Sequence, residues 1–158
     1  MSNVHDAPSA FPWPPVLLTG AVALALAIDR WVAPLPVPFA EVGAVRAGGA
    51  LMVLGAFAIT VWAARQFRQH GTTIRPDRAS IALIETGPFA WSRNPIYLAE
   101  TIALLGAAIV FNKLTLAVVA PVFAVLVSRL AIRPEEAFLE RRFGPVYEAY
   151  CSRVRRWL

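Results

Sequence analysis

Arg93-Asn94-Pro95 opens an apolar run that carries Tyr97 and Glu100 within its first two turns. Asn suits a helix cap and Pro suits a first helical turn, so a helix is expected to begin here. The free N–H groups of such a start favour an anion, and Arg93 sets a full positive charge beside them. A carboxylate or phosphate could dock there, or Arg93 could simply anchor the helix to lipid headgroups. Tyr97 and Glu100 are three residues apart and share one helical face. An aromatic ring attracts a cation, and a carboxylate pairs with one. A carboxylate at membrane depth is costly, which makes a functional site the first hypothesis for Glu100. The alternative is a structural ion pair with Arg65, Arg68 or Arg129. For Tyr97 the alternative is an interfacial anchor.

A second polar cluster, Arg133-Pro134-Glu135-Glu136, closes the last apolar run. Pro134 suits a first helical position, and the two carboxylates suit a positive helix start. His70 sits in Arg68-Gln69-His70-Gly71-Thr72-Thr73 and is either a solvated loop residue or a site residue.

Other chemistries are excluded by what the chain lacks. It has two His and one Cys, Cys151, so an intrachain disulfide and a Cys-based metal site are ruled out. Cys151 reads as a small packing residue. No Gly-x-Gly-x-x-Gly nucleotide loop and no Gly-x-Ser-x-Gly elbow occurs. The net charge of +5 comes from Arg residues flanking apolar runs, which fits anionic lipid headgroups rather than nucleic acid.

These residues must be positioned by membrane helices. The 158-residue chain is 58% hydrophobic and 16% charged, an excess gathered into runs. The expected fold class is all-α: one integral membrane domain over 1–158, a helical bundle with about four transmembrane helices. The spans are Val16 to Ala33, Val45 to Ala64, Ile96 to Phe111 and Leu114 to Ile132. Residues 1–64 supply the N-terminal membrane helices and 65–158 the cofactor-binding catalytic core. The third span is short. Only Asn112-Lys113 separates it from the fourth, which predicts a tight helical hairpin, and Pro121 could kink its second arm. Small residues, Gly48, Gly49 and Gly55 in span two and Gly106, Ala107 and Ala108 in span three, predict close helix packing. Trp13, Trp31 and Trp62 lie near span ends, where indoles favour the interface.

The segment 65–95 and the tail from 129 hold 12 of the 15 Lys and Arg, so both are expected to be cytoplasmic, with both termini inside. Met1 to Pro15 contains no Lys or Arg, so the first span is expected to be retained rather than cleaved. The tail is expected to form a C-terminal amphipathic cytoplasmic helix, broken at Gly144-Pro145. Phe143, Val146, Tyr150, Val154 and Trp157 would line its apolar stripe, against the membrane surface or the other helices.

In this order, the pieces resemble the integral membrane methyltransferases related to isoprenylcysteine carboxyl methyltransferase and phosphatidylethanolamine N-methyltransferase. The resemblance rests on His70-Gly71-Thr72, on Leu83 to Phe89, on Ser92-Arg93-Asn94-Pro95-Ile96-Tyr97-Leu98, and on Glu135-Glu136 with Leu139. Phe143-Gly144-Pro145-Val146-Tyr147 and Tyr150 complete it. It covers about residues 65 to 158. It implies S-adenosylmethionine as methyl donor, a cofactor pocket open to the cytosol, and a lipophilic or lipid-like acceptor entering from the bilayer. The implied pocket is lined by His70, Gly87, Arg93, Asn94, Pro95, Tyr97, Leu98, Glu135 and Glu136. The family's Arg-His-Pro variant is Arg93-Asn94-Pro95 here, so position 94 is not assigned proton transfer.

The donor's chemistry suits these residue types. Its carboxylate fits Arg93 and the helix start, its ammonium or ribose fits Glu135 or Glu136, and its sulfonium fits Tyr97. Arg93 and Glu100 are the residues assigned to the reaction, with Glu100 on the acceptor side. A carboxylate acceptor needs no base; an amine or thiol acceptor does, and Glu100 or His70 is then the candidate. The Ala- and Arg-rich composition suggests a bacterial inner membrane. Two other readings remain: a nicotinamide-dependent membrane reductase of the sterol-reductase type, and a non-catalytic helical membrane subunit.

Overall fold

The computed structural model describes residues 13–32, 34–71 and 82–158. Met1, Ala33, Thr72 and Thr73, named above, lie outside these, as do His5 and the arginines at 75 and 78 of the basic segment. Among the described residues every regular element is helical. Helix α1 is Trp13–Trp31 and α2 is Gly43–Gln69; a 3-10 turn, Gly87–Ala90, leads to α3, Pro95–Val110. Helix α4, Leu114–Val127, continues through a π turn, Ser128–Ile132, into α5, Arg133–Phe143, and α6 is Pro145–Arg153.

Three helical stretches are long and apolar enough to cross a membrane: Pro14–Trp31, Gly43–Gln69 and Leu114–Phe143. Helix α3 is a shorter apolar helix of 16 residues. At about 1.5 Å per residue the 27 residues of α2 reach about 40 Å, beyond a hydrocarbon core of about 30 Å. Its final turns, with Arg65 and Arg68 exposed, therefore pass the apolar layer. Large apolar side chains point outward along the bundle: Leu24, Leu51, Leu54, Phe57, Val118 and Val122 are all exposed. Lipid is the solvent that accommodates such a surface, and the chain is an integral membrane protein.

Helix α3 packs on α2 and α4, and α4 also packs on α1. The α2–α3 contact is close because Gly49 faces Gly106. A Cβ on Gly106 would sit 2.7 Å from the Gly49 carbonyl oxygen, and one on Gly49 would sit 2.8 Å from Ile109 Cβ. The expectation of tight packing holds at these two glycines. Gly48 and Gly55 face open space instead, because they lie off the contact line. Phe123, Val127 and Ile132 fill the core between α1, α3 and α4.

The turn from α3 to α4 closes on Asn112, whose φ is 54°. Lys113 N–H bonds Ala108 O at 2.9 Å and Asn112 N–H bonds Ile109 O at 3.3 Å, a Schellman ending with Asn in the left-handed position. The same end is tied to the 34–42 loop. Val37 N–H donates to Asn112 Oδ1 at 2.8 Å, Leu114 N–H donates to Leu35 O at 2.9 Å, and Lys113 pairs with Asp29.

Two features of the tail bear on the site. Pro134 takes a first-turn position of α5 as expected, and α4, the π turn and α5 form one continuous rod. Pro134 offers no N–H to the carbonyl four residues back and its ring crowds that carbonyl. The π turn lies directly ahead of it, at Ser128–Ile132, where a wider turn relieves the clash. Of the two placements open to the apolar stripe, most of it takes the one against the protein. Tyr147, Tyr150 and Val154 are buried with Leu83, Leu139 and Phe143, while Val146 is exposed. Gly144, with φ of 49°, ends α5 as expected, and its N–H bonds Glu140 O at 2.8 Å.

Candidate functional site

Three segments distant in sequence meet at the start of α3: residues 92–97, the first turn of α5, and the tail 151–156. The tail is stitched down by backbone groups. Arg93 N–H donates to Arg155 O at 3.0 Å, and the Asn94 side-chain amide donates to Arg156 O at 3.0 Å. Ser92, buried, bonds the Asn94 N–H at 3.1 Å. Asn94 thus occupies the cap position without using its side chain as a cap; that amide holds the tail instead. This corrects the expectation of a side-chain cap. Pro95 takes the first helical position as expected.

Charge gathers around Glu136. Arg156 grips it in bidentate fashion, Nε to Oε1 at 3.0 Å and Nη2 to Oε2 at 2.6 Å. Arg93 Nη2 lies 3.3 Å from Glu136 Oε1, and Arg93 Nη1 meets the Cys151 thiol. The side chains of Arg93 and Glu136 are 16% and 15% exposed, and that of Arg156 is 39% exposed. A planar fork matches a carboxylate far better than a point charge does. One donor is left over: Arg93 Nε is buried and has no partner among the described residues. A buried donor without an acceptor costs about 1–3 kcal/mol, which makes this atom the natural contact for an incoming anion.

Glu135 is half-buried beside Glu136, and Tyr97 lies within electrostatic reach of both Glu135 and Glu100. Tyr97 packs against the α1–α3–α4 core, and Leu98 is half-buried next to it. Gly87 begins the 3-10 turn with φ of 63°, and a Cβ there would lie 3.0–3.1 Å from Gln66 and Trp62. Its bare Cα therefore serves a turn pressed against α2. Tyr150 supports that turn, its hydroxyl donating to Phe89 O at 2.7 Å. Burial pushes the phenols of Tyr147 and Tyr150 above their ordinary range, so both stay neutral donors.

Among the described residues, no hydrogen bond or ion pair joins His70 to the cluster. It is exposed at the end of α2, with Nδ1 2.9 Å from Gln66 O. Glu100 lines a groove of about 370 Å³ between α1, α2 and α3. Its Oε2 is buried and has no hydrogen-bond partner among the described residues. Arg65, Arg68 and Arg129 are all exposed, and no described ion pair joins any of them to Glu100.

Arg156 and Cys151 belong to the cluster, although sequence reasoning gave them no part in it. Arg156 read as one of several lipid-facing tail arginines. The signal available was Val154 and Trp157 flanking it, because apolar residues on both sides fold the tail back onto the protein.

A helical membrane protein with a charged cluster at the mouth of a short apolar helix is the class that fold and site define. The family model for phospholipid methyltransferases matches residues 44–146, well over half of the chain. The chain belongs to that family of membrane methyltransferases. The match takes in α2 and ends just before Tyr147. Among characterised proteins, the nickel-cobalt-cadmium resistance protein NccN of Alcaligenes xylosoxydans xylosoxydans is 30% identical over 77 residues. That similarity covers 49% of this chain and 36% of the relative's length.

Proposed function

We propose that this protein transfers a methyl group from S-adenosylmethionine to a lipophilic or lipid-like acceptor at the cytoplasmic membrane interface. The observation that carries the reading is the spare Arg93 Nε, a buried guanidinium donor with no acceptor among the described residues, beside the N–H groups of α3. That donor set fits the cofactor's carboxylate. Glu136, gripped by Arg156, holds Arg93 in place. Glu135 would take the ammonium or a ribose hydroxyl, and Tyr97 would face the sulfonium. His70, Gly87, Asn94, Pro95 and Leu98 would complete the pocket. When bound, the cofactor supplies an activated methyl group. The chain's own part is to orient donor and acceptor and to exclude water, which carries much of the rate of an in-line displacement.

This reading takes 1–158 as one integral membrane domain, with helices 1–64 supporting a cofactor-binding core in 65–158. It takes α3 as a fourth crossing, paired with α4 as a membrane hairpin. Both termini face the cytoplasm, and the membrane is a bacterial inner membrane. Family membership favours this activity over a nicotinamide-dependent reductase.

Membranes containing the protein, supplied with methyl-labelled S-adenosylmethionine and a bacterial lipid extract, should accumulate label in the organic phase. Arg93→Ala membranes should not. Equal labelling by the two would refute the assignment.

A further inference from the structure

The groove on the α2–α3 face has features that the cofactor pocket does not account for. Leu18 and Val22 of α1, Ala56 and Thr60 of α2, and Ala103 of α3 line it, together with Glu100. The surface is otherwise apolar and faces the region of lipid. Among the described residues, Glu100 is its one ionisable lining group. At about 1.5 Å per residue, Glu100 lies roughly 10 Å along α3 from Ala107, which lines the opposite end. The carboxylate therefore marks the end nearest the Arg93–Glu136 cluster. Thr60 lines the groove with its hydroxyl already turned back to Ala56 O at 2.9 Å, which leaves Glu100 as the polar group free to recognise a ligand.

We propose that this groove binds a protonated, single-chain lipophilic amine, its chain along α2 and α3 and its ammonium on Glu100. The proposal deepens the methyltransferase reading by naming the acceptor class, and it rests on that reading for the acceptor's role: Glu100 would first take a proton from the bound ammonium, and the neutral amine's lone pair would then form the N–C bond as the methyl–sulfur bond breaks and the donor leaves as a neutral thioether. Three physical arguments favour this occupant. A carboxylate in an apolar wall attracts a cation and repels an acidic acceptor. It also disfavours a thiolate, the reactive form of a thiol. A cavity of about 370 Å³ sits at the small end of the range for drug-sized ligands, about 300–1,000 Å³, so it suits one chain rather than two.

The test is binding without any methyl donor. The full-length protein in phosphatidylcholine nanodiscs is titrated with radiolabelled dodecylamine, and uptake by empty nanodiscs is subtracted. Saturable binding is expected, at least about tenfold tighter than for dodecanol or dodecanoate. Glu100→Gln should remove that preference while dodecanol binding stays unchanged. Ala103→Trp, which fills the groove, should abolish binding of both amine and alcohol. Because the wild-type preference is read without any variant, the proposal stays testable if a variant fails to fold. Equal affinity for amine and alcohol, or a preference that survives Glu100→Gln, would overturn it. Competition by diacyl phosphatidylethanolamine at the same affinity would overturn the single-chain assignment. S-adenosylhomocysteine binding, measured on the same nanodiscs, separates the two readings. Amine selectivity without it would sink the methyltransferase reading, and the converse would sink this one.

Discussion

Arg93→Lys distinguishes a pocket that awaits an anion from a network that pairs only with itself. Arg93 Nε is buried with no acceptor among the described residues, while the other guanidinium nitrogens meet Glu136 at 3.3 Å and the Cys151 thiol. Lysine keeps the charge toward Glu136 and loses the fork. A hydrogen bond to a charged group is worth about 1.5–3 kcal/mol, and each ~1.4 kcal/mol is tenfold in Kd. Loss of the Nε contact should weaken S-adenosylhomocysteine by about 10- to 150-fold. Stability should move differently. The spare Nε costs the ligand-free protein about 1–3 kcal/mol, and lysine removes that cost. Thermal unfolding of the ligand-free variant in detergent should therefore occur at or above the wild-type temperature. Calorimetric titration and a thermal melt on the same preparation read both quantities. Binding within about threefold of wild type would refute the Nε contact. A drop in stability alongside the lost binding would refute the spare-donor reasoning.

Further outcomes follow from the same geometry. Glu100→Gln should bind S-adenosylhomocysteine as wild type does while turnover falls; loss of binding in calorimetry would move Glu100 into the cofactor pocket. Gly106→Ala should destabilise by about 1–3 kcal/mol, because the new Cβ meets the Gly49 carbonyl at 2.7 Å, whereas Gly48→Ala, with nothing within 4 Å, should be neutral in the same melt. Burial raises the Tyr150 phenol above the ordinary phenol range, so its contribution is intact below that range and is lost as pH rises through the folded value. Tyr150→Phe should flatten that alkaline loss, and should also lower stability at neutral pH by about 1–2 kcal/mol because Phe89 O loses its donor.

Much of this architecture was legible because local chemistry and tertiary structure agree. Asn112-Lys113 reads as a helix break, and Asn112 takes the left-handed conformation that ends α3. Gly144-Pro145 reads as a stop and a start, and both occur. Arg93, Asn94 and Glu136 were legible as polar groups set against apolar runs, and the fold brings them together with Arg156. The rest depended on long-range pairing. The inward turn of Tyr147 and Val154 follows from the tail folding back onto residues 89–94, which periodicity cannot report because a stripe facing lipid and a stripe facing protein look alike. Of the glycines in α2, only Gly49 lies on the α3 contact, a matter of rotation about the helix axis. Arg156 was indistinguishable from the other tail arginines until Glu136 was placed beside it.

The central claim is that the cluster at the start of α3 holds the methyl donor. The most direct test is calorimetric titration of the purified protein in detergent with S-adenosylhomocysteine, with NADPH as control. The account expects saturable binding of S-adenosylhomocysteine alone, lost in Arg93→Ala. A folded sample that binds neither, or that binds NADPH instead, would contradict it and leave the Arg93–Glu136–Arg156 cluster as a structural ion-pair network or a different cofactor's site.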